Sequence, residues 1–167
     1  MPERVFLGLG SNWEEAEKKL ASAREGISAL SGTRMVRFSS VYLTEPQGFR
    51  EQPWFYNQVL ELKVDARWEP EGFLKTLLAL ETALGRIRDP HQPRFGPRVI
   101  DIDLLLFGEK KSQTVTCTVP HPRMLARAFV LCPLLEIAPD LYLSGEAIQV
   151  HLARLNYRCE GKRLFQA

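Results

Sequence analysis

Two aspartates interrupt an apolar run near the middle of this 167-residue sequence. Asp101 and Asp103 lie in the segment Val-Ile-Asp-Ile-Asp-Leu-Leu-Leu-Phe, which has the composition of a buried strand. Residues two apart in a strand share a face and are about 6.6–6.8 Å apart, so the two carboxylates point to one side. Neighbouring carboxylates repel each other unless a proton or cation is close, and Mg²⁺ prefers oxygen ligands. The pattern predicts either solvent-facing or arginine-neutralised acids, or a Mg²⁺ site.

An arginine-rich, proline-containing loop comes directly before these aspartates. It holds four arginines and one acid, Asp89, a local charge of +3 on a chain whose net charge is +2. The four are Arg86, Arg88, Arg94 and Arg98. An exposed basic loop is the simpler interpretation, but the planar guanidinium group pairs bidentately with phosphate and the prolines restrict the loop. Together with the aspartates, the loop favours a site for Mg²⁺-bound polyphosphate, closed by a lid.

Three further features leave alternatives open. His121 either donates to a phosphate oxygen or caps the helix that follows, and Arg127, one helical turn after Arg123, faces either the same site or solvent. Large aromatic residues in loops either pin the loop to the core or stack on a flat ligand. These are Trp54, Phe55 and Phe95. The glycines near Gly8 complete neither a dinucleotide-binding fingerprint nor a P-loop, so neither nucleotide site is supported.

Composition bounds the class of protein. With 45% hydrophobic and 25% charged residues, the chain is typical of one soluble globular domain, which we assign to residues 1–167. No apolar run reaches the roughly 18 residues that span a bilayer, and the N-terminus lacks a signal-type sequence, so we expect a cytoplasmic protein. Its three cysteines, none in a CxxC pair, indicate reduced packing thiols. We expect a monomer with small-molecule ligands, and neither nucleic acid nor membrane as a partner.

The elements that must position the candidate residues follow from the spacing of apolar side chains. We predict a strand over 4–10, a helix that Asn12 caps, strands over 35–43 and 57–65 around a loop from Thr44 to Tyr56, and a helix from Pro70 to Leu84 capped by Gly85. The aspartate strand follows, then a strand near 115–119, short helices over 122–137 and a C-terminal strand and helix. The order predicts an α+β, ferredoxin-like βαββαβ fold. In that fold an antiparallel sheet has helices on one face, here with a C-terminal extension.

Taken together, these motifs resemble the 6-hydroxymethyl-7,8-dihydropterin pyrophosphokinase family. The specific run is Arg94-Phe-Gly-Pro-Arg98 followed by Asp101-Ile-Asp103, with Val119-Pro-His121 downstream. Other segments match in family order, so the resemblance covers nearly the whole chain: Gly10 to Asn12, Thr44 to Asn57, Leu80 to Arg88 and Phe129 to Pro139. The resemblance implies pyrophosphoryl transfer from ATP to the hydroxymethyl group of the reduced pterin, giving AMP and the pterin diphosphate.

The resemblance also implies roles for individual residues. Two Mg²⁺ ions would bind to Asp101 and Asp103, which with Arg88 and Arg98 would form the catalytic group. The residues implied to bind ATP are Glu81, Arg86, Arg88, Arg98, Thr118, His121 and Arg127. Those implied to bind the pterin are Thr44, Gln47, Phe55, Asn57, Phe95 and Phe129, with Phe55 and Phe129 sandwiching the ring. The chain departs from the common family pattern at Glu45, Gln47, Phe55, Leu78, Thr116 and Pro122.

The implied mechanism is mainly electrostatic. Attack of a neutral alcohol on the β-phosphorus develops negative charge on the phosphate oxygens, which positioned cations offset. The sequence offers no general base beyond the aspartates themselves. Two other classes compete with this interpretation: a ferredoxin-like RNA-binding module, and a two-metal nucleotidyltransferase or phosphodiesterase with Glu61 or Glu81 as a third carboxylate ligand.

Overall fold

A computed structural model describes residues 1–93 and 95–166 and shows a mixed α+β chain. Arg94 of the arginine loop lies outside the described residues. The strands are β1 (Glu3–Ser11), β2 (Thr33–Phe38), β3 (Tyr42–Thr44), β4 (Phe55–Val64), β5 (Asp101–Phe107), β6 (Ser112–Gln113), β7 (Thr118–Val119), β8 (Tyr142–Leu143), β9 (Glu146–Ala147), β10 (Tyr157–Glu160) and β11 (Arg163–Gln166). The helices are α1 (Ala16–Ser28), α2 (Pro70–Ala83), α3 (Ala128–Ile137) and α4 (Ile148–Ala153), with a 3-10 turn at Met124–Ala126. Within the described ranges, no helix has both the length and the apolar character needed to cross a membrane.

The main sheet has the strand order β10-β11-β3-β4-β1-β5, and β2 also pairs with β4. Strand β1 is antiparallel to both of its neighbours, and its register sets Gly10 opposite Asn57 of β4 on one side and Asp101 of β5 on the other. Strand β11 runs parallel to β3 at the edge. The ends of β1, β4 and β5 therefore meet at one end of the sheet, where most of the candidate residues lie.

Helices cover both faces of the sheet: α1 and α2 share one face, as predicted, and the C-terminal helices α3 and α4 cover the other. Val5, Leu7 and Leu9 of β1 pack in a cluster with residues of α1 and α2, whereas Phe6 packs in a second cluster with residues of α3 and α4. Because successive residues of a strand point to opposite faces, a strand that is apolar at consecutive positions needs cover on both sides. The C-terminal part of the chain supplies the second cover.

The predicted single strand over 35–43 is in fact two strands, β2 and β3. Ser39 lies between them, and its backbone amide donates to the Val59 carbonyl (2.9 Å) while its hydroxyl accepts from the Val59 amide (3.0 Å). Because the side chain takes the place of a backbone acceptor, the regular ladder is interrupted there. The described cysteines are all free thiols, but Cys159 is exposed and is not a packing residue.

The predicted end of α2 is confirmed, and the predicted start of α1 is wrong. Gly85 adopts φ 102° just after α2, and its amide donates to the Thr82 carbonyl at 3.0 Å. This left-handed position is the one that favours glycine after a helix. At α1 the residue before the helix is Glu15, and its side chain makes no capping hydrogen bond. Asn12 is free for a different role, described below.

A pair of phenylalanine substitutions tests how much the α2 side of the core contributes to stability. Phe73 is fully buried, with edge-to-face contacts to Trp68 and Phe107 at 5.5 and 5.7 Å between ring centroids. We expect Phe73→Ala to lower the free energy of unfolding in urea by about 3–5 kcal/mol, because it leaves a cavity. The matched change Phe38→Ala, at a ring that is 51% exposed, should cost at most about 1 kcal/mol. Equal losses would contradict the assignment of Phe73 to the core.

Candidate active site

Asp101 and Asp103 lie in the wall between two neighbouring pockets and are in the lining of both. Ile102, between them, points to the other face of β5 and is buried in the core. Asp101 accepts hydrogen bonds from Arg86 at 2.7 Å and from Arg98 at 2.8 Å. Asp103 is 3.9 Å from Arg127, and burial together with the Asp101 carboxylate raises its pKa to about 7. The predicted convergence of the two carboxylates is therefore present.

These two carboxylates fit a hard cation. Burial next to a second carboxylate disfavours ionisation of Asp103, and a bound cation would remove that cost. Across residues 1–93 and 95–166, no group of three or more His, Cys, Asp and Glu side chains is arranged to hold a metal ion. A two-carboxylate site suits Mg²⁺, which usually keeps several waters and takes its remaining ligands from phosphate.

Glu81 of α2 anchors the arginines behind β5. Its side chain is 1% exposed and accepts hydrogen bonds from the Ile102 amide (2.6 Å), Arg86 (3.2 Å) and Arg88 (2.5 Å). Burial, followed by the Asp101 carboxylate, raises the pKa of Glu81. One buried carboxylate thus joins α2, β5 and the arginine loop. Glu61, the other candidate for a third carboxylate, pairs instead with Arg4 and Arg37 and is absent from the described lining of both pockets.

All six residues predicted from the resemblance to bind the pterin line the first pocket: Thr44, Gln47, Phe55, Asn57, Phe95 and Phe129. Asn57 is buried, and its Nδ2 donates to the Thr44 hydroxyl at 2.6 Å. Gly10 also lines this pocket, and a Cβ at that position would lie 2.8 Å from Asn57 Oδ1. A side chain at position 10 would therefore displace the Asn57 amide from its present position. This role of Gly10 was not predicted, although the Gly8-Leu-Gly10 spacing was a signal for it.

Two arginines connect this pocket with the aspartates. The guanidinium carbon of Arg98 lies 5.2 Å from the centroid of the Phe55 ring, and that of Arg127 lies 5.3 Å from the centroid of the Phe129 ring. Both distances are within the range of cation–π contacts. The same two side chains pair with Asp101 and Asp103, respectively. Each of the two aromatic walls is therefore in contact with a cation of the charged site.

The second pocket gathers five of the seven residues predicted to bind ATP: Glu81, Arg86, Arg88, Thr118 and His121. The other two, Arg98 and Arg127, line the first pocket beside the aspartates. Leu78, Thr116 and Pro122, three of the departures from the family pattern, also line the second pocket. The predicted nucleotide residues thus lie around the aspartates, five in the second pocket and two in the first.

His121 is held as a neutral ring at this site. Burial, with smaller contributions from Arg127 and Arg123, lowers its pKa to about 4. Its Nδ1 accepts a hydrogen bond from the Arg123 amide at 3.2 Å. Because Nδ1 is an acceptor, Nε2 carries the proton and can donate to a ligand in the pocket.

Buried Asn12 joins the two loops that flank the site. Its Nδ2 donates to Gln52 Oε1 (2.9 Å) and to the Pro53 carbonyl (3.0 Å), and its Oδ1 accepts from the Arg98 amide (2.9 Å). Gln52 in turn donates to the Phe95 carbonyl at 2.7 Å. Sequence reasoning missed this role, since an Asn shortly before a helix indicates a cap. Gln52 and Arg98, two partners of Asn12, are 40 and 86 residues away along the chain, and a local sequence pattern cannot predict contacts over such separations.

Comparisons with known proteins match the family that the sequence motifs resemble. Residues 6–139 match the family model described as 7,8-dihydro-6-hydroxymethylpterin-pyrophosphokinase (HPPK). The 2-amino-4-hydroxy-6-hydroxymethyldihydropteridine pyrophosphokinase of Methylorubrum extorquens is 42% identical over 153 residues, which cover 92% of this chain and 94% of that protein. The protein of the same name from Pseudomonas aeruginosa is 43% identical over 143 residues, covering 86% of this chain and 85% of that one.

A solved structure extends the comparison to the fold. The wild-type HPPK-DHPS of Plasmodium falciparum with pteroate is similar to 98% of this chain, with a TM-score of 0.72 and 11% identity. This chain spans 47% of that one, so the likeness concerns the fold of less than half of the longer protein.

The lowered pKa of His121 predicts a dependence of stability on pH. The ordinary pKa is 6.5 and the folded value is about 4, so between these values the unfolded chain binds a proton that the folded chain does not. Protonation in that window favours unfolding. We expect the wild type to lose stability relative to His121→Gln as the pH falls from 6.5 to 4, with a constant difference above pH 6.5. Unfolding in urea at a series of pH values measures this difference, and an NMR titration of His121 centred near 6.5 would contradict it.

Proposed function

The chain belongs to the 7,8-dihydro-6-hydroxymethylpterin-pyrophosphokinase family, and from that premise we propose how its residues divide the reaction between them. It transfers pyrophosphate from ATP to the hydroxymethyl group of 6-hydroxymethyl-7,8-dihydropterin, giving AMP and the pterin diphosphate in folate biosynthesis. The observation that supports the division most directly is that Asp101 and Asp103 line both pockets. In this proposal the pterin occupies one pocket, the nucleotide occupies the other, and the transferred group passes between them beside the two acids.

The first pocket is assigned to the pterin. Phe55 and Phe129 stack on the faces of its ring, and Phe95 covers it from the arginine loop. Asn57, held by Thr44, hydrogen-bonds the polar edge of the ring, and Gln47 contributes from the loop before β4. Support comes from the mixed lining, which combines aromatic faces with a few fixed amide and hydroxyl groups, the composition expected of a site for a flat polar ligand.

The second pocket is assigned to ATP. Arg86, Arg88 and Arg98 pair with the triphosphate, and His121 donates to a phosphate oxygen from Nε2. Thr118 and Arg127 complete the phosphate and nucleotide contacts. Glu81 acts by orienting Arg86 and Arg88, in agreement with its three hydrogen bonds and its burial. Arginines that are already held in place stabilise developing negative charge without reorganising during the reaction.

Two Mg²⁺ ions complete the proposed site, held by Asp101 and Asp103. When bound, they supply charge neutralisation and alignment of the triphosphate. The protein contributes the rigid strand that sets the spacing of the two carboxylates, and Arg98 and Arg127 that partly offset their charge. The demand for a cation comes from Asp103, because burial works against its ionised form.

We also propose a ferredoxin-like topology, a monomeric state and a cytoplasmic location for this chain. The ferredoxin-like assignment is supported by the strand order β5-β1-β4-β2, with α1 and α2 packed on one face and α3 and α4 added on the other. The monomeric state and the cytoplasmic location are predictions from the sequence.

An assay with ATP, Mg²⁺ and reduced 6-hydroxymethylpterin tests the function. We expect AMP to form only when the pterin is present, and chelation of the metal with EDTA to stop it. Release of ADP would indicate transfer of a single phosphoryl group, and release of pyrophosphate without a pterin diphosphate would indicate nucleotidyl transfer. Absence of pterin-dependent AMP would contradict the proposed function.

Removal of either acid tests the assignment of the metal site. We expect Asp101→Ala and Asp103→Ala each to lower the turnover number by at least about a hundredfold while the far-UV circular dichroism spectrum is unchanged, because each change removes a ligand at the developing charge. Asp65→Ala is the matched control, since Asp65 is an exposed acid that directly follows the opposite end of β4. Near-normal turnover in either active-site variant would show that the metal assignment is wrong.

A further inference from the structure

Gln166, at the end of β11, contacts Gln47, which lines the first pocket, and the backbone on either side of Arg127, which also lines it. Its Oε1 accepts a hydrogen bond from the Ala128 amide at 2.8 Å, and its Nε2 donates to the Ala126 carbonyl at 2.8 Å. Its backbone carbonyl accepts a hydrogen bond from Gln47 Nε2 at 3.2 Å. Gln166 therefore joins the loop that carries Gln47 to the start of α3.

The side-chain contacts of Gln166 fall at the point where α3 begins. The first amides of a helix have no partner within the helix, and at α3 the capping residue, Arg127, makes no side-chain hydrogen bond to them. Gln166 supplies the missing acceptor to Ala128 from another element. Its two contacts lie on either side of Arg127, and Phe129 is the next residue after Ala128. The orientation of both pocket residues depends on the backbone that Gln166 holds.

The two contacts require a primary amide. One partner is an N–H donor and the other is a carbonyl acceptor, so the Gln166 amide has a single favourable orientation, with oxygen toward Ala128 and nitrogen toward Ala126. A carboxylate would keep the contact with the Ala128 amide, but at the second contact its other oxygen would face the Ala126 carbonyl, and two acceptors repel each other. An apolar side chain of similar size would lose both.

Strand β11 and the residue before it are fixed to β3 and to the loop after β3, which carries Gln47. The Leu43 amide donates to the Lys162 carbonyl at 2.8 Å, and the Glu45 amide donates to the Leu164 carbonyl at 3.2 Å. Near the end of the same loop, the ring of Trp54 packs edge-on against that of Phe165, with centroids 5.1 Å apart. Gln166 thus projects from a strand that is anchored to the loop at both of the loop's ends.

We propose that Gln166 is a positioning residue for the pterin, which acts by holding the start of α3 so that Phe129 faces the first pocket. This inference rests on the proposed assignment of that pocket. Gln166 lies beyond residues 6–139, the part of the chain that matches the family model. The C-terminal strand then contributes to substrate affinity as well as to the edge of the sheet.

The test is the affinity for 6-hydroxymethyl-7,8-dihydropterin, measured by calorimetry with Mg²⁺ and a non-hydrolysable ATP analogue present. We expect Gln166→Leu to raise the pterin Kd about tenfold through loss of the two hydrogen bonds, and Gln166→Glu to give a smaller increase. Gln149→Leu is the matched control, because Gln149 is exposed on α4, and it should leave the Kd unchanged. All Kd values are measured below the unfolding midpoint of each variant.

A double-mutant cycle separates positioning from a general loss of stability. If Gln166 acts through Phe129, then Gln166→Leu should change the pterin Kd less than about twofold in a Phe129→Ala background. An unchanged Kd for Gln166→Leu, or equal effects in the two backgrounds, would overturn the inference while leaving the proposed function in place. If Gln166→Leu does not fold, Gln166→Glu takes its place in the same cycle. Failure of Phe129→Ala alone to weaken binding would instead overturn the assignment of the pocket, and this inference with it.

Discussion

The pair of carboxylates on one face of β5 is the constraint on which the rest of the site depends. Burial and the neighbouring Asp101 carboxylate both oppose ionisation of Asp103, and the fold brings cations to the pair. Arg86 and Arg98 meet Asp101, and buried Glu81 holds Arg86 from behind. This chain of alternating charges requires α2, β5 and the arginine loop to pack together. Arg127, at 3.9 Å, compensates Asp103 only in part, and this supports the proposal of a metal ion at the pair.

The same cations link the charged site to the aromatic pocket. Arg98 and Arg127 each pair with an aspartate through the guanidinium group and lie against the ring of Phe55 or Phe129. The two aspartates line both pockets, and their arginine partners Arg98 and Arg127 line the aromatic one. In the proposed assignment, the transferred group passes beside these arginines, whose charge stabilises it.

Residues outside the matched family region complete the architecture. The segment from residue 140 onward supplies α4 on the second face of the sheet and the hairpin of β10 and β11 at its edge. The consecutive apolar residues of β1 need cover on both faces of the sheet, and α4 helps α3 to cover the face on which Phe6 lies. The segment also reaches the loop and the helix start that border the aromatic pocket.

Local patterns in the sequence were enough to predict several features of the structure. The alternation in β5 predicted that Asp101 and Asp103 share a face, Gly85 predicted the end of α2, and the motif order led to the family and to a set of residues that do gather in two adjoining pockets. These succeed because strand period, helix capping and motif spacing act over a few residues. The interruption at Ser39 was missed, since it depends on Val59 in another strand.

The sequence by itself determined which residues carry charge and aromatic surface, and at what spacing they stand in each element. Only the tertiary structure decided which arginine meets which acid, that helices cover both faces, that Asn12 joins two loops rather than capping a helix, and that Gln166 completes α3. The physical reason is that these contacts join residues far apart in the chain. Which residues meet depends on how the sheet and the helices pack together, and the periodicity of a single helix or strand does not report that packing.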